Sequence, residues 1–470
     1  MAGAGVLFGT ALACAGASAA SFDPLRAAPG VLDKGVTLPG DARAAACPLS
    51  DDLAGPLSLS AAVDFALCDN PRIHAAWANI KISANAVGEA RAAYLPTLSA
   101  ALGRTSQSTR YGGGYAPVTT QDNTVSANLA WRLFDFGARA ANRQAAENLL
   151  SAALASHEAT LQASLGEVIQ AYFDAYTARA AVESKTQIEA IAGGTLASAR
   201  KREEKGLASQ SDTLQARTAL ARASLDLNRA QGDFRKANAV LLYSMGLPVD
   251  TRITLPVTLK ENTRQADQDL RGWLSITEQQ HPAIMAARAQ LDAARNKVAA
   301  IRSEGLPTLD LSVNYYRNGR PGQALTPTSH ENTLSLVLTV PLFDGFSKSY
   351  KVRGAQAQVE QKEAELADTE HRILMDVVKV HADAQSALQN LWVSDELLLA
   401  ARGALAVSQR KYDKGAADIL ELLNTQSALA DAERESVRCM ADWRAARLKL
   451  LANAGRMGRS ALENEALGSH

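Results

Sequence analysis

The stretch Thr308-Leu309-Asp310-Leu311-Ser312-Val313-Asn314-Tyr315-Tyr316 changes character at every residue. Leu309, Leu311, Val313 and Tyr315 fall on one face, and Thr308, Asp310, Ser312 and Asn314 on the other. A period of two with one apolar and one polar face is the signature of a strand. Asn332 to Leu342 repeats the pattern: Leu334, Leu336, Leu338, Val340 and Leu342 stand opposite Thr333, Ser335, Val337 and Thr339. Upstream, Leu98, Ala100 and Leu102, then Val125, Ala127, Leu129, Trp131 and Leu133, do the same. Strands are therefore expected at 97–109, 123–134, 308–317 and 332–342. Their length, about ten residues, crosses a bilayer when the strand is tilted. The joining segments Tyr111–Asp122 and Asn318–Glu331 are rich in Gly, Pro and Thr, as exposed loops are.

Working outward, the chain repeats itself. Asn70-Pro71 recurs as His281-Pro282, and Leu95-Pro96-Thr97-Leu98 as Leu306-Pro307-Thr308-Leu309, both displaced by 211 (282 − 71 and 307 − 96). Leu133-Phe134-Asp135-Phe136-Gly137 matches Leu342-Phe343-Asp344-Gly345-Phe346 at 209, as Lys205-Gly206 matches Lys414-Gly415 and Gly246 matches Gly455. The slip of two residues falls between Leu98 and Leu133, where a loop is expected. A register held over such a distance marks a duplication. It implies repeats at 57–246 and 270–455, a linker at 247–269 and a tail at 456–470.

No proline occurs from Val118 to Leu247, nor from Leu342 to the C-terminus. A proline inside a helix costs ~3 kcal/mol, so such tracts suit very long helices. Ala138 to Glu203 makes one of ~100 Å at 1.5 Å per residue. It breaks at Gly206, free to take the positive φ of a helix end, and returns over Gln210–Tyr243 with Ser211 or Asp212 as N-cap. The second half breaks at Gly415 and returns over Ile419–Asn453.

Composition fits this architecture. Of 470 residues 47% are hydrophobic but only 5% aromatic, and small side chains let long helices approach closely. Lys+Arg and Asp+Glu both number 49, so no global charge attracts nucleic acid. Residues 1–20 read as a signal peptide, with an apolar Val6–Ala20 and the cleavage form Ala17-Ser18-Ala19, although no Lys or Arg precedes Arg26. Cys14 follows Ala11-Leu12-Ala13, a poor lipidation box. A periplasmic segment follows at 21–56. Cys47 and Cys68 are open to two readings, a bridge in an oxidising compartment or two buried thiols. Cys439 reads as a small core residue inside a helix.

Chemistry is sparse. His371 and His381 lie too far apart on one helical stretch to share a metal, and neither H-E-x-x-H, G-x-S-x-G nor a phosphate loop occurs. No cofactor, metal or catalytic residue is expected. After the leader no run of about 18 apolar residues reads as a membrane helix. The four strands then form either a small periplasmic sheet or part of a membrane barrel. Bacterial barrels start at 8 strands, so several copies must share one, and three copies give 4 × 3 = 12.

The Asn-Pro and Leu-Pro-Thr-Leu marks, the paired Leu-Phe-Asp endings and the Lys-Gly turns, in order and twice over, resemble the TolC family of outer-membrane factors. The likeness runs from about Leu57 to Gly455. It implies a homotrimer in the outer membrane, with a 12-stranded β-barrel continued by a long α-helical barrel into the periplasm. It also implies a periplasmic adaptor and an inner-membrane ABC transporter or proton-driven pump as partners. The subgroup most similar is the outer-membrane partner of type I secretion that serves an RTX-type adenylate cyclase toxin. A drug or metal efflux duct shares the fold, and a soluble periplasmic coiled-coil adaptor is the rival from another class. By position, the turns at Gly206 and Gly415 would form the periplasmic tip, Asp212 and Tyr412 would lock the aperture, and Glu421 would stand in an acidic ring. Two positions depart from the family pattern: Ala417 replaces an arginine link and Asn424 the second acidic residue. Read from the residues alone, Asp212 is as well an N-cap, Tyr412 a helix-seam residue and Glu421 a solvated face.

Overall fold

The computed structural model describes residues 25, 47, 55–110, 112–114, 116–206, 209–256, 269–318, 329–414, 416 and 419–458. The expected leader 1–20, Cys14, Gly415 and Ala417, most of 21–56, and parts of the linker, tail and loops lie outside them.

The order is α1 (Leu59–Asp69), α2 (Pro71–Ala92), β1 (Thr97–Thr109), β2 (Val118–Phe134), α3 (Ala138–Glu204) and α4 (Gln210–Met245). The same sequence follows as α5 (Leu270–Gln280), α6 (Pro282–Ser303), β3 (Thr308–Arg317), β4 (His330–Thr339), α7 (Ser347–Asp413) and α8 (Ile419–Asn453). The duplication is structural: α3 and α7 have 67 residues each, α2 and α6 have 22. Even strand register is copied. Thr97 faces Ala130 in the first hairpin, and adding 211 and 209 gives Thr308 facing Thr339, as found in the second.

Local chemistry sets the joints. Asn70 caps α2 by accepting the Arg72 N–H at 2.9 Å, and His281 caps α6 by accepting the Ala283 N–H at Nδ1, 3.2 Å. Pro71 and Pro282 follow at the first helical turn, where a missing N–H costs nothing. Gly246 closes α4 at φ 80° against α1; a Cβ there would stand 2.4 Å from the Asp69 carbonyl oxygen. The swapped endings Phe136-Gly137 and Gly345-Phe346 explain each other. All four residues hold positive φ (50°, 89°, 66° and 66°), so glycine relieves one of two left-handed positions in either order. The preceding aspartate supplies the cap: Asp135 accepts from the N–H of Gly137 and Arg139, and Asp344 from the Lys348 N–H at 2.7 Å.

The largest core lies where α1, the start of α2, α3, α4 and α8 meet, around Leu67, Ile73, Leu165, Tyr172, Leu242 and Leu448. Tyr172 donates its hydroxyl to the Leu57 carbonyl at 3.0 Å, fixing the chain that enters α1. Cys47 and Cys68 are joined by a disulfide, which ties the segment before α1 to that helix. Cys439 is a buried free thiol beside Leu391 and Trp443.

The strands form one antiparallel sheet in the order β1-β2-β3-β4. One face carries Leu98, Leu102, Leu334, Leu336 and Leu338, between 62% and 83% exposed. The other is polar and stitched across β2 and β3 by Arg132 to Asp310 at 2.9 Å and by Asn128 to Asn314. Three strand limits differ from the alternation, the start of β2 and both ends of β4. β2 starts at Val118, so the expected loop Tyr111–Asp122 contributes its last residues to pairing with β1 through Thr109. β4 spans His330–Thr339 and stops short of Leu342, because Pro341 has no N–H to continue a ladder. No described helix is long and apolar enough to cross a membrane.

Candidate functional site

The residues singled out for the aperture lie at the ends of α3 and α7 far from the sheet and at the starts of α4 and α8. α3 ends at Glu204, and Gly206 turns at φ 68° with its N–H on the Glu203 carbonyl, 2.9 Å. The cap of α4 is Ser209, not Ser211 or Asp212. Ser209 Oγ accepts the Asp212 N–H at 3.3 Å, while Asp212 Oδ2 accepts the Ser209 N–H at 3.1 Å. This reciprocal capping box places Asp212 at the third helical position, with its negative charge on the positive helix end.

Tyr412, half-buried in the last turn of α7, packs on Leu196 and Ala199 of α3, Ala216 of α4 and Ile419 of α8. The Arg202 guanidinium stands over its ring, 5.0 Å from the centroid. Within one chain Asp212 and Tyr412 thus have separate partners: Asp212 caps its own helix, and Tyr412 packs in the seam of α3, α4 and α8. Glu421, exposed in the first turn of α8, accepts from Lys411 Nζ of α7 at 3.3 Å. Asn424 is exposed one turn further on, in an open groove of about 500 Å³ with Ile188, Leu214 and Leu420.

Arg202 and Lys411 were missed in the sequence. Both sit in the last turn of a long helix, where basic residues complement the carbonyl end, and that role conceals a second one across the turn. Their contacts are weak: a cation over a partly exposed ring is worth about 0.5–1 kcal/mol and a surface ion pair about 0–1 kcal/mol. These contacts are small and separable, and they surround a modest apolar seam. Among the described residues no group of three His, Cys, Asp or Glu side chains could hold a metal ion.

A membrane-length sheet with an apolar outer face, mounted on helices of ~100 Å, defines an outer-membrane channel protein. The chain belongs to the outer membrane efflux protein family, whose profile matches residues 62–247 and 273–456, one segment in each repeat. It is 36% identical over 420 residues to Protein CyaE of Bordetella pertussis, covering 89% of this chain and 88% of that one. It is 25% identical over 398 residues to the alkaline protease secretion protein AprF of Pseudomonas aeruginosa, covering 79% of each. The fold matches the Campylobacter jejuni CmeC outer membrane channel with a TM-score of 0.75 at 14% identity, over 92% of this chain and 95% of that one.

Proposed function

We infer that three copies form a passive export duct of a type I secretion system. The duct passes protein cargo from an inner-membrane ABC transporter and a periplasmic adaptor to the outside, and catalyses no reaction. The observation that carries this reading is the open sheet: four strands, with β1 and β4 unpaired at its edges. Unpaired backbone groups are not tolerated in a bilayer, so other copies must complete the barrel. Protein cargo is supported by the secretion role in AprF's name and by the resemblance to type I secretion partners. Efflux of drugs or metals is the second reading, favoured by the description of the family itself. Membership of an outer-membrane family sets aside the soluble adaptor.

In this duct the periplasmic end narrows at the turns of Gly206 and Gly415. Asp212 and Tyr412 meet neighbouring helices there, and Glu421 and Asn424 face the passage. A ring of symmetry-related carboxylates builds a field that a lone surface charge does not. Deleting the gene in its host tests the cargo. Retention of a normally exported protein inside cells, restored by complementation, is the expected outcome. Unchanged protein export with raised sensitivity to drugs or metals would replace the first reading by the second.

A further inference from the structure

The apolar face of the sheet changes chemistry from one rim to the other. Toward the helices it borders exposed aromatic rings, Phe134, Phe343 and Phe346, and the Trp131 indole donates to the Tyr94 carbonyl at 2.9 Å. Aromatic residues of this kind collect at a membrane interface. Toward the strand turns the same face becomes basic. Arg104 of β1 is in phase with Leu98 and Leu102, Arg317 of β3 with Leu311 and Val313, and His330 of β4 with Leu334 and Leu336. All three are exposed. The ladder sets Arg317 opposite His330 on one side and Val125 on the other, and sets Arg104 opposite Asn123, two residues further from the helices. No strand position in phase with this face is Asp or Glu. Asp310 and Glu331 lie on the other face, where Asp310 holds Arg132 and Glu331 accepts from Thr333 Oγ1 at 3.3 Å. Among the described residues neither the Arg104 nor the Arg317 guanidinium has a hydrogen-bond or ion-pair partner.

We propose that this unpaired basic rim, Arg104 and Arg317 with His330, binds the phosphates of a glycolipid in the outer leaflet, the lipid A part of lipopolysaccharide. This rests on the trimeric duct proposed above, whose barrel puts the strand turns outside. Height supports it. From Leu309 to Arg317 is eight residues (317 − 309), or ~27 Å along a strand at ~3.4 Å per residue. At a tilt of ~40° this rises ~20 Å, close to the top of an apolar band ~25 Å tall. Chemistry selects the ligand. A guanidinium donates two parallel hydrogen bonds to phosphate oxygens. A zwitterionic headgroup brings its own ammonium to compete for that phosphate, whereas the phosphates of lipid A carry none. Two strand spacings of ~4.8 Å and two residues of rise put Arg104 ~12 Å from Arg317, so their long side chains can hold separate phosphates or close on one. The Tyr315 hydroxyl and His330 Nδ1 share a hydrogen bond at 3.1 Å, which holds the imidazole beside Arg317. Beneath the headgroup, Leu98, Leu102 and Leu334 offer the acyl chains an apolar surface, 73% to 83% exposed.

The test uses the full-length oligomer purified in detergent and reads the temperature at which it dissociates. Added bisphosphorylated lipid A should raise that temperature, and its dephosphorylated form should not. The rise should shrink as salt is added, because exposed charges are screened. Arg104→Gln with Arg317→Gln should lose more than half of the rise. Arg229→Gln with Lys236→Gln, an equal loss of charge on the exposed surface of α4, should keep it. Where the arginine variants assemble poorly, the two lipid forms still decide the matter in the unaltered protein. An equal rise with both forms, or one that survives Arg104→Gln with Arg317→Gln, would overturn the site. A rise as large with phosphatidylglycerol would overturn the choice of glycolipid. A conducting oligomer with no response to lipid A would overturn the site and leave the duct standing, and a protein with no detergent-stable oligomer would overturn both.

Discussion

His281 shows how one residue can give a repeat a different response from its twin. Asn70 and His281 do the same capping work at the same joint, but only the imidazole titrates. His281 is buried, and burial with the nearby Arg372 guanidinium pushes its pKa down to about 4. An imidazole whose Nδ1 accepts a hydrogen bond is the neutral form, so the fold binds His281 without its extra proton. An unfolded histidine titrates near ~6.5. The stability tied to this group is therefore complete above that value and is lost as pH falls toward 4. His281→Asn, which borrows the cap of the first repeat, should flatten the fall in melting temperature between neutral and mildly acid pH. Parallel falls in both proteins would show that the group does not carry acid sensitivity. At the tip, Asp212→Ala and Tyr412→Ala should each raise the channel's ion conductance if they restrain the aperture. Ser209→Ala removes the same capping box and should cost about 0.5–2 kcal/mol of helix stability, leaving conductance unchanged. Equal conductance changes in Ser209→Ala and Asp212→Ala would reduce Asp212 to a helix cap.

Among the elements, the strands make the sharpest claim, because alternation states which side chains meet lipid. Leu336 and Leu338 are 62% and 66% exposed on the apolar face. Replacing either by Arg should reduce assembly in the outer membrane, since a lipid-facing Arg costs about 2–4 kcal/mol at mid-bilayer. Ser335→Arg, on the polar face, should assemble normally. Heat-resistant oligomer in isolated membranes is the readout, and full assembly of both leucine variants would contradict the barrel. The alternation that made these strands legible also shows where reading stopped. Val118 to Asn123 lacks alternating apolar residues, so its pairing with β1 comes from backbone geometry alone. Val340 and Leu342 keep the apolar rhythm after Pro341 has ended the ladder, which is why β4 is shorter than its pattern. At the helix ends, Ser209, Ser211 and Asp212 are all capping types, and only the reciprocal bonds single out Ser209. Arg202 over Tyr412 and Lys411 on Glu421 are contacts between elements, set by how the long helices lie together, and no local spacing encodes them.

For the whole molecule, duplication is the governing fact. A repeat with open faces on both sides cannot bury them alone, and stacking on further repeats is the general remedy. Here one chain supplies two repeats, and its remaining open sides, β1 with α2 and β4 with α7, are the same faces that meet inside it. This much was legible from matched motifs at constant offset, because a duplication leaves its mark on sequence before any packing is known. The proposed aperture was legible only through family resemblance, since no local spacing within one chain marks it. The most direct test of a duct is the single-channel conductance of the detergent-extracted oligomer in a planar bilayer. Discrete, long-lived openings that grow on Asp212→Ala are the expected result. A protein that stays soluble without detergent and never conducts would contradict it.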